Sequence, residues 1–140
     1  MHVRSFQLSD VSPVTELLQA ALSEECYENT MEPFSRQLSW DSDLIVVAEE
    51  EGEIVGALIG TIEKNYGCYF RIAIHPDYRR RGIGRGLVSA MESRFQARKV
   101  NGIYVVGDEH NAAALPLYEA MGYGENHIFK SVRKLSIVGQ

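Results

Sequence analysis

Three consecutive arginines, Arg79, Arg80 and Arg81, stand directly before Gly82, Ile83, Gly84, Arg85 and Gly86. The apolar run Ile72, Ala73 and Ile74 precedes them, and Pro76 stops it because proline cannot donate to a sheet ladder. From Ile83 onward the apolar residues fall at Leu87, Val88, Met91 and Phe95, the spacing of one helical face. The order is therefore strand, basic glycine-rich loop, amphipathic helix. The first turn of a helix leaves backbone N–H groups unpaired and carries the positive end of the helix dipole. Glycines let an anion approach that backbone, and arginines add charge and bidentate donors. A phosphate or pyrophosphate suits this chemistry; an ordinary turn with a solvated basic patch is the alternative. A P-loop would need Lys-Ser or Lys-Thr after the last glycine, where Leu87 and Val88 stand. A dinucleotide fingerprint would need its third glycine at Leu87, and Gly86 comes one residue early.

A second constellation lies near the C-terminus: Asn111, Ala114, Leu117, Tyr118, Gly122 and Tyr123. By itself it reads as a helix with Asn111 as N-cap, Tyr118 in the core and Gly122 as C-cap. Together the two stretches match R-x-x-G-x-G and N-x-x-A-x-x-L-Y-x-x-x-G-Y. They resemble the coenzyme A loop and the following helix of the GNAT (Gcn5-related) N-acetyltransferases, and the resemblance covers nearly the whole chain. It implies acetyl transfer from acetyl-CoA to a primary amine, on a small molecule or a protein, by direct attack in a ternary complex without a metal. It assigns pantetheine to the backbones of Ile72, Ala73 and Ile74, and the pyrophosphate to Arg79, Arg80, Arg81, Gly82, Ile83, Gly84 and Arg85. Asn111 would contact the cofactor. Tyr118 would lie beside its sulfur and protonate the departing thiolate. A bulky residue at Gly84 is expected to obstruct the pyrophosphate while changing stability less. Pro116 departs from a regular helix, which either starts late or is kinked there.

Acetylating an amine also requires removing its proton, and no base is evident. Many relatives carry a glutamate five residues before the asparagine, where this chain has Val106; another family position falls on Cys68. Asp108, Glu109, His110, Glu25 and Glu28 are the polar candidates, and a chain of waters is the alternative. His75, at the loop entry, reads as structural. The acids Glu24, Glu25 and Glu28 lie where the family builds acceptor pockets and would suit a cationic amine.

The elements that must position these groups follow from the apolar pattern. Residues 2–7 alternate as a first strand. A helix capped by Asp10 or Ser12 follows, with its stripe at Val14, Leu17, Leu18, Ala21 and Leu22. A second helix is expected at residues 33–38. Strands are expected at 44–49, 54–62, 68–74 and 103–106, with Gly56 and Gly60 marking a bulge or a close backbone approach. A helix over 111–121 and one or two strands within 123–137 complete the chain. The fold class is a mixed α+β domain over residues 1–140. The resemblance implies a mostly antiparallel twisted sheet, splayed between the strand before the loop and the strand after its helix.

The chain has 140 residues, 45% of them apolar, which suits a single packed domain. No apolar run approaches the roughly 20 residues that cross a bilayer, and no signal-like segment opens the sequence. Cys26 and Cys68 form no metal spacing. A reduced, cytoplasmic protein, monomeric or homodimeric, is the expectation. The net charge of −5 argues against a general nucleic-acid binder and makes the arginine cluster a local feature suited to a small anionic ligand. An acyl-CoA-binding sensor with little catalysis is the other functional reading, and a nucleotide or nucleic-acid binder is a third.

Overall fold

The computed structural model describes residues 1–124 and 129–130. Among these residues six strands form one sheet in sequential order: β1 His2–Ser5, β2 Ile45–Glu50, β3 Glu53–Glu63, β4 Tyr66–Ile74, β5 Gly102–Val105 and β6 Phe129–Lys130. All neighbours are antiparallel except β4 and β5. That parallel pair requires a crossover, supplied by helix α3, Ile83–Ala97. The remaining helices are α1 Val11–Ala21, α2 Glu24–Trp40 and α4 Leu115–Ala120. Of the strands expected within residues 123–137, Phe129–Lys130 is seen, and the rest of that stretch lies outside the described residues.

Two cores sandwich the sheet. Leu87, Val88, Met91 and Phe95 of α3 bury their predicted stripe against Val46, Leu58 and Tyr69. On the opposite face Val14, Leu17, Leu18 and Phe34 meet Ile45, Val47, Ala57 and Ile59. The sheet accepts α3 closely because Gly56, Gly60 and Gly67 present no side chain. A Cβ at Gly56 would stand 2.9 Å from Ile83, one at Gly60 3.0 Å from Met91, and one at Gly67 2.7 Å from Phe95.

The second helix is much longer than the 33–38 expected, and it contains Pro33 instead of beginning there. Ser23 caps it by accepting from the Cys26 amide at 3.1 Å. Its buried residues are Cys26, Thr30, Phe34 and Gln37, at helical spacing. Thr30 and Gln37 are polar, so hydrophobic periodicity did not reveal the stripe. The expected 111–121 helix is likewise divided. Residues Glu109–Ala114 form a 3₁₀ turn capped by Asp108, and α4 begins at Leu115 with Pro116 in its first turn. Late initiation, not a kink, accommodates the proline.

Between β3 and β4 the register shifts: Ile59 faces Arg71 and Gly60 faces Tyr69, leaving Phe70 as the extra residue of a bulge. The strict alternation of a strand is broken there. Tyr69 points into the α3 core, while Arg71, two residues on, bonds to Thr30 of α2 on the other face.

Candidate active site

β4 and β5 stay paired only as far as Tyr69 and Val105, with a last bond from the Val106 amide to the Tyr69 carbonyl at 3.0 Å. Beyond that point β4 continues alone on this side. The His75 amide donates toward β3, to Val55 O at 2.8 Å. Antiparallel alternation therefore turns the amides and carbonyls of Ile72 and Ile74 the other way, into the gap. A cavity of about 880 Å³ opens there, and Ile72, Ala73 and Ile74 form part of its wall.

The basic loop supplies the adjoining wall. Pro76–Tyr78 is a 3₁₀ turn capped by His75, whose Nδ1 accepts from the Asp77 amide at 3.1 Å, so His75 has the structural place expected of it. Arg80 has φ +65°, an uncommon conformation for a side chain of its size. Gly82 has φ +79° and stands at the N-cap of α3, a turn that favours glycine. No side chain caps this helix, and its first internal bond runs from the Gly86 amide to Gly82 O at 3.1 Å. The amides of Ile83, Gly84 and Arg85 are thus the orphan donors of the first turn. Arg79, Arg80, Gly82, Ile83, Gly84 and Arg85 all line the cavity. Arg81 does not; its guanidinium lies 5.0 Å from the Tyr78 ring centroid, on the loop's own aromatic residue.

Gly84 does not stand open to the cavity through its α-carbon as expected. Its missing Cβ would point at Leu117 Cδ2, 2.8 Å away, so this glycine lets α4 pack on α3. Gly84→Val is expected to destabilise the fold by about 1–3 kcal/mol through overpacking. It should weaken cofactor binding as well, because the displaced Leu117 lines the cavity. A thermal melt beside calorimetry tests this; an unchanged melting temperature would refute it.

At the floor of the gap sits a buried polar cluster that the sequence reading missed. Arg71 is 1% exposed. Its Nε donates to Thr30 Oγ1 at 2.9 Å, and its terminal nitrogens reach Asp108 at 3.1 and 3.2 Å and Asn111 Oδ1 at 2.8 Å. The guanidinium also lies 4.5 Å from the Phe70 ring centroid. Asn111 Nδ2 donates to Phe70 O at 3.0 Å and Val106 O at 2.6 Å, so its amide bridges β4 and the end of β5 where they part. Asn111 lines the cavity, yet its side chain is engaged within the protein, and Asp108, not Asn111, caps the following turn. An arginine inside an apolar strand run was the sequence signal for this cluster.

Tyr118 is 1% exposed and is not part of the cavity wall, although its neighbours Pro116 and Leu117 are. Its ring stacks on Tyr69 with centroids 5.1 Å apart, and Tyr69 and Tyr123 share a 2.6 Å hydroxyl contact. Burial pushes the Tyr118 phenol up, opposed in part by the charge of Arg71. Among the described residues no hydrogen-bond partner accompanies the Tyr118 hydroxyl, and no enclosed side-chain polar atom lacks one, so this oxygen retains some access.

Of the five polar candidates for a base, only His110 lines the cavity; its Nε2 is 3.0 Å from Asn29 Nδ2 of α2. Burial pushes the Asp108 carboxyl up, but the hydrogen bonds and charge of Arg71 outweigh it and hold the group below the usual range. That makes Asp108 a weak proton acceptor. Glu25, Glu28 and Glu109 are exposed.

The model of the acetyltransferase (GNAT) family matches residues 13–123. The chain belongs to the GNAT family. An acetyltransferase of Sodalis glossinidius is 34% identical over 126 residues, covering 88% of this chain and 87% of the relative. One from Pectobacterium atrosepticum is 32% identical over 123 residues with the same coverage. Among solved structures, a GNAT acetyltransferase from Brucella melitensis in complex with acetyl-CoA has a TM-score of 0.78 at 18% identity, covering 94% of this chain and 87% of that one. An N-acetyltransferase from Thermoplasma acidophilum in complex with coenzyme A has a TM-score of 0.72 at 16% identity, covering 93% and 97%. Those two likenesses establish the GNAT fold, and the family establishes an acetyltransferase. No helix among the described residues is long and apolar enough to cross a membrane.

Proposed function

We propose that this GNAT acetyltransferase moves an acetyl group from acetyl-CoA to a primary amine by direct attack. The observation that carries the reading is the shared cavity: the unpaired backbone of Ile72 and Ile74 faces the same space as the uncapped first turn of α3. Residues 72–74 would pair with the pantetheine amides. The α3 amides, with Arg79, Arg80 and Arg85, would hold the pyrophosphate. Such positioning turns a bimolecular step into an oriented one.

In the reaction the amine lone pair forms the N–C bond, and the C–S bond breaks with its electron pair leaving on sulfur. The amine gives up one proton and the thiolate gains one. His110, directly or through water, is the acceptor in our reading, because it alone of the candidates faces the cavity. Tyr118 is the donor in our reading: it directly follows the wall residues Pro116 and Leu117, its hydroxyl, without a partner among the described residues, retains some access, and its burial keeps the phenol protonated, as the thiolate requires.

The test is calorimetric titration with acetyl-CoA, followed by CoA release over a panel of polyamines, amino acids, aminoglycosides and N-terminal peptides. Binding followed by acceptor-dependent release is expected. Binding without release for any amine would favour a sensor, and no binding would overturn the reading entirely.

A further inference from the structure

We infer that the acceptor is an elongated amine with an apolar body and a second positive charge at its far end, held in a cavity behind the cofactor cavity. The inference rests on the acetyltransferase reading above and names the substrate class for it. The second cavity, of about 380 Å³, lies between α2 and the sheet. Its lining includes the aromatic residues Trp40, Phe70 and Tyr104 beside Ile59 and Val106, with the polar Gln37 and Thr61.

One end is defined by Asn111. The carbonyls of Phe70 and Val106 both accept from its amide, and those two residues line the second cavity while Asn111 lines the first. The two cavities therefore stand back to back at Asn111, where β4 and β5 part. The other end follows β3 and β4 back to the pair Glu63 and Tyr66. Phe70 lies four positions along β4 from Tyr66, a span of roughly 13 Å.

At that end Glu63 is a lining residue, exposed and without a cationic partner among the described residues. Arg36 also reaches this cavity, but it is paired with Glu32 at 3.3 Å and lies 5.5 Å from the Trp40 ring centroid. Aromatic faces tolerate cations as well as apolar chains. The acids expected to recognise the amine, Glu24, Glu25 and Glu28, are exposed, and none lines either cavity. An amine reacting at the Phe70 end would lay its body along the rings and place its second cation beside Glu63.

Three acceptors test this with the full chain and acetyl-CoA, read by CoA release at low ionic strength: 1,8-diaminooctane, octylamine and 8-aminooctanoate. The expected KM is lowest for the diamine and highest for the amino acid, with steps of about three- to fivefold for an exposed charge. Glu63→Gln is expected to bring the diamine and octylamine to the same KM. Gly107 lies in the wall with a non-left-handed backbone, and a Cβ there meets nothing within 4 Å. Gly107→Leu therefore adds side-chain volume at the cavity wall with room for its Cβ; it is expected to raise KM for all three amines roughly tenfold while acetyl-CoA affinity stays unchanged. Equal KM values for the three amines in the parent would overturn the inference. A preference for the amino acid would also overturn it, as would a Gly107→Leu variant with the parent's KM. Failure of the parent to bind acetyl-CoA, read separately by calorimetry, would overturn the underlying reading instead.

Discussion

Tyr118→Phe is expected to lower kcat by roughly 10²–10⁴-fold, the usual contribution of a general acid. The ring and its stacking on Tyr69 remain, so only the hydroxyl is lost. Acetyl-CoA affinity should change little, because a bond to a developing thiolate strengthens only as the transition state forms. Arg71 sharpens the test. Its charge pulls the Tyr118 phenol down against the upward push of burial, so a phenol here would give up a proton more readily than one in a purely apolar pocket. If Tyr118 is only a packing element of the tyrosine cluster, Tyr118→Phe will instead leave turnover within about threefold of the parent, far short of a lost general acid. Steady-state kinetics with a confirmed amine, and a thermal melt as control, separate the two.

Arg71→Leu is expected to destabilise the protein by about 2–4 kcal/mol, because it strands several polar groups together. Thr30 Oγ1 loses a donor at a fully buried position, Asn111 Oδ1 loses its 2.8 Å partner, and Asp108 loses its counter-charge. The Asp108 side chain is 35% exposed, so water screens part of that last loss and the figure stays below that of a sealed ion pair. The pH dependence has a definite sign. Asp108 has a folded pKa below its ordinary value of 3.8, so its pairing stabilises the parent above that value and is lost as pH falls through the folded pKa. The gap between parent and variant is therefore expected to be full near neutrality and to narrow below about pH 4. Urea melts at pH 7 and pH 3.5 measure it. A gap under about 0.5 kcal/mol at pH 7 would show that the cluster is not what holds this region, since removing one buried partner normally costs far more.

The meander of β2, β3 and β4, the crossover helix and the basic loop could all be read from the chain, because each is signalled locally. Apolar runs end at Glu50 and Glu63 in polar turns, Pro76 closes β4, and α3 carries an uninterrupted apolar stripe. What stayed hidden depends on distant partners. The extent of α2 was masked because Thr30 and Gln37 occupy its buried face, where the Thr30 hydroxyl donates to Cys26 O and accepts from Arg71, 41 residues away. Arg71 finds its other partners 37 and 40 residues later, in a turn whose position depends on β5. The direction of the missing Cβ at Gly84 was equally out of reach, since the sequence places that residue in the loop but not α4 against it.

Gly56, Gly60 and Gly67 also shape how this protein can tolerate change. A complete substitution scan ordinarily finds its most replaceable positions among small residues and its least replaceable among large ones. On the α3 face of this sheet that ranking inverts. Alanine at Gly67 drives a methyl group to 2.7 Å from the Phe95 ring, and at Gly56 to 2.9 Å from Ile83, which opens the α3 helix. Ile83 in turn lines the larger cavity and directly follows Gly82, so crowding at the centre of the sheet reaches the basic loop. The blank positions of the sheet are thus those where drift is most constrained. Trp40, Thr61 and Tyr104, in the lining of the second cavity, are not positions of this kind and are expected to tolerate exchange of side chains with smaller effects on the melting temperature.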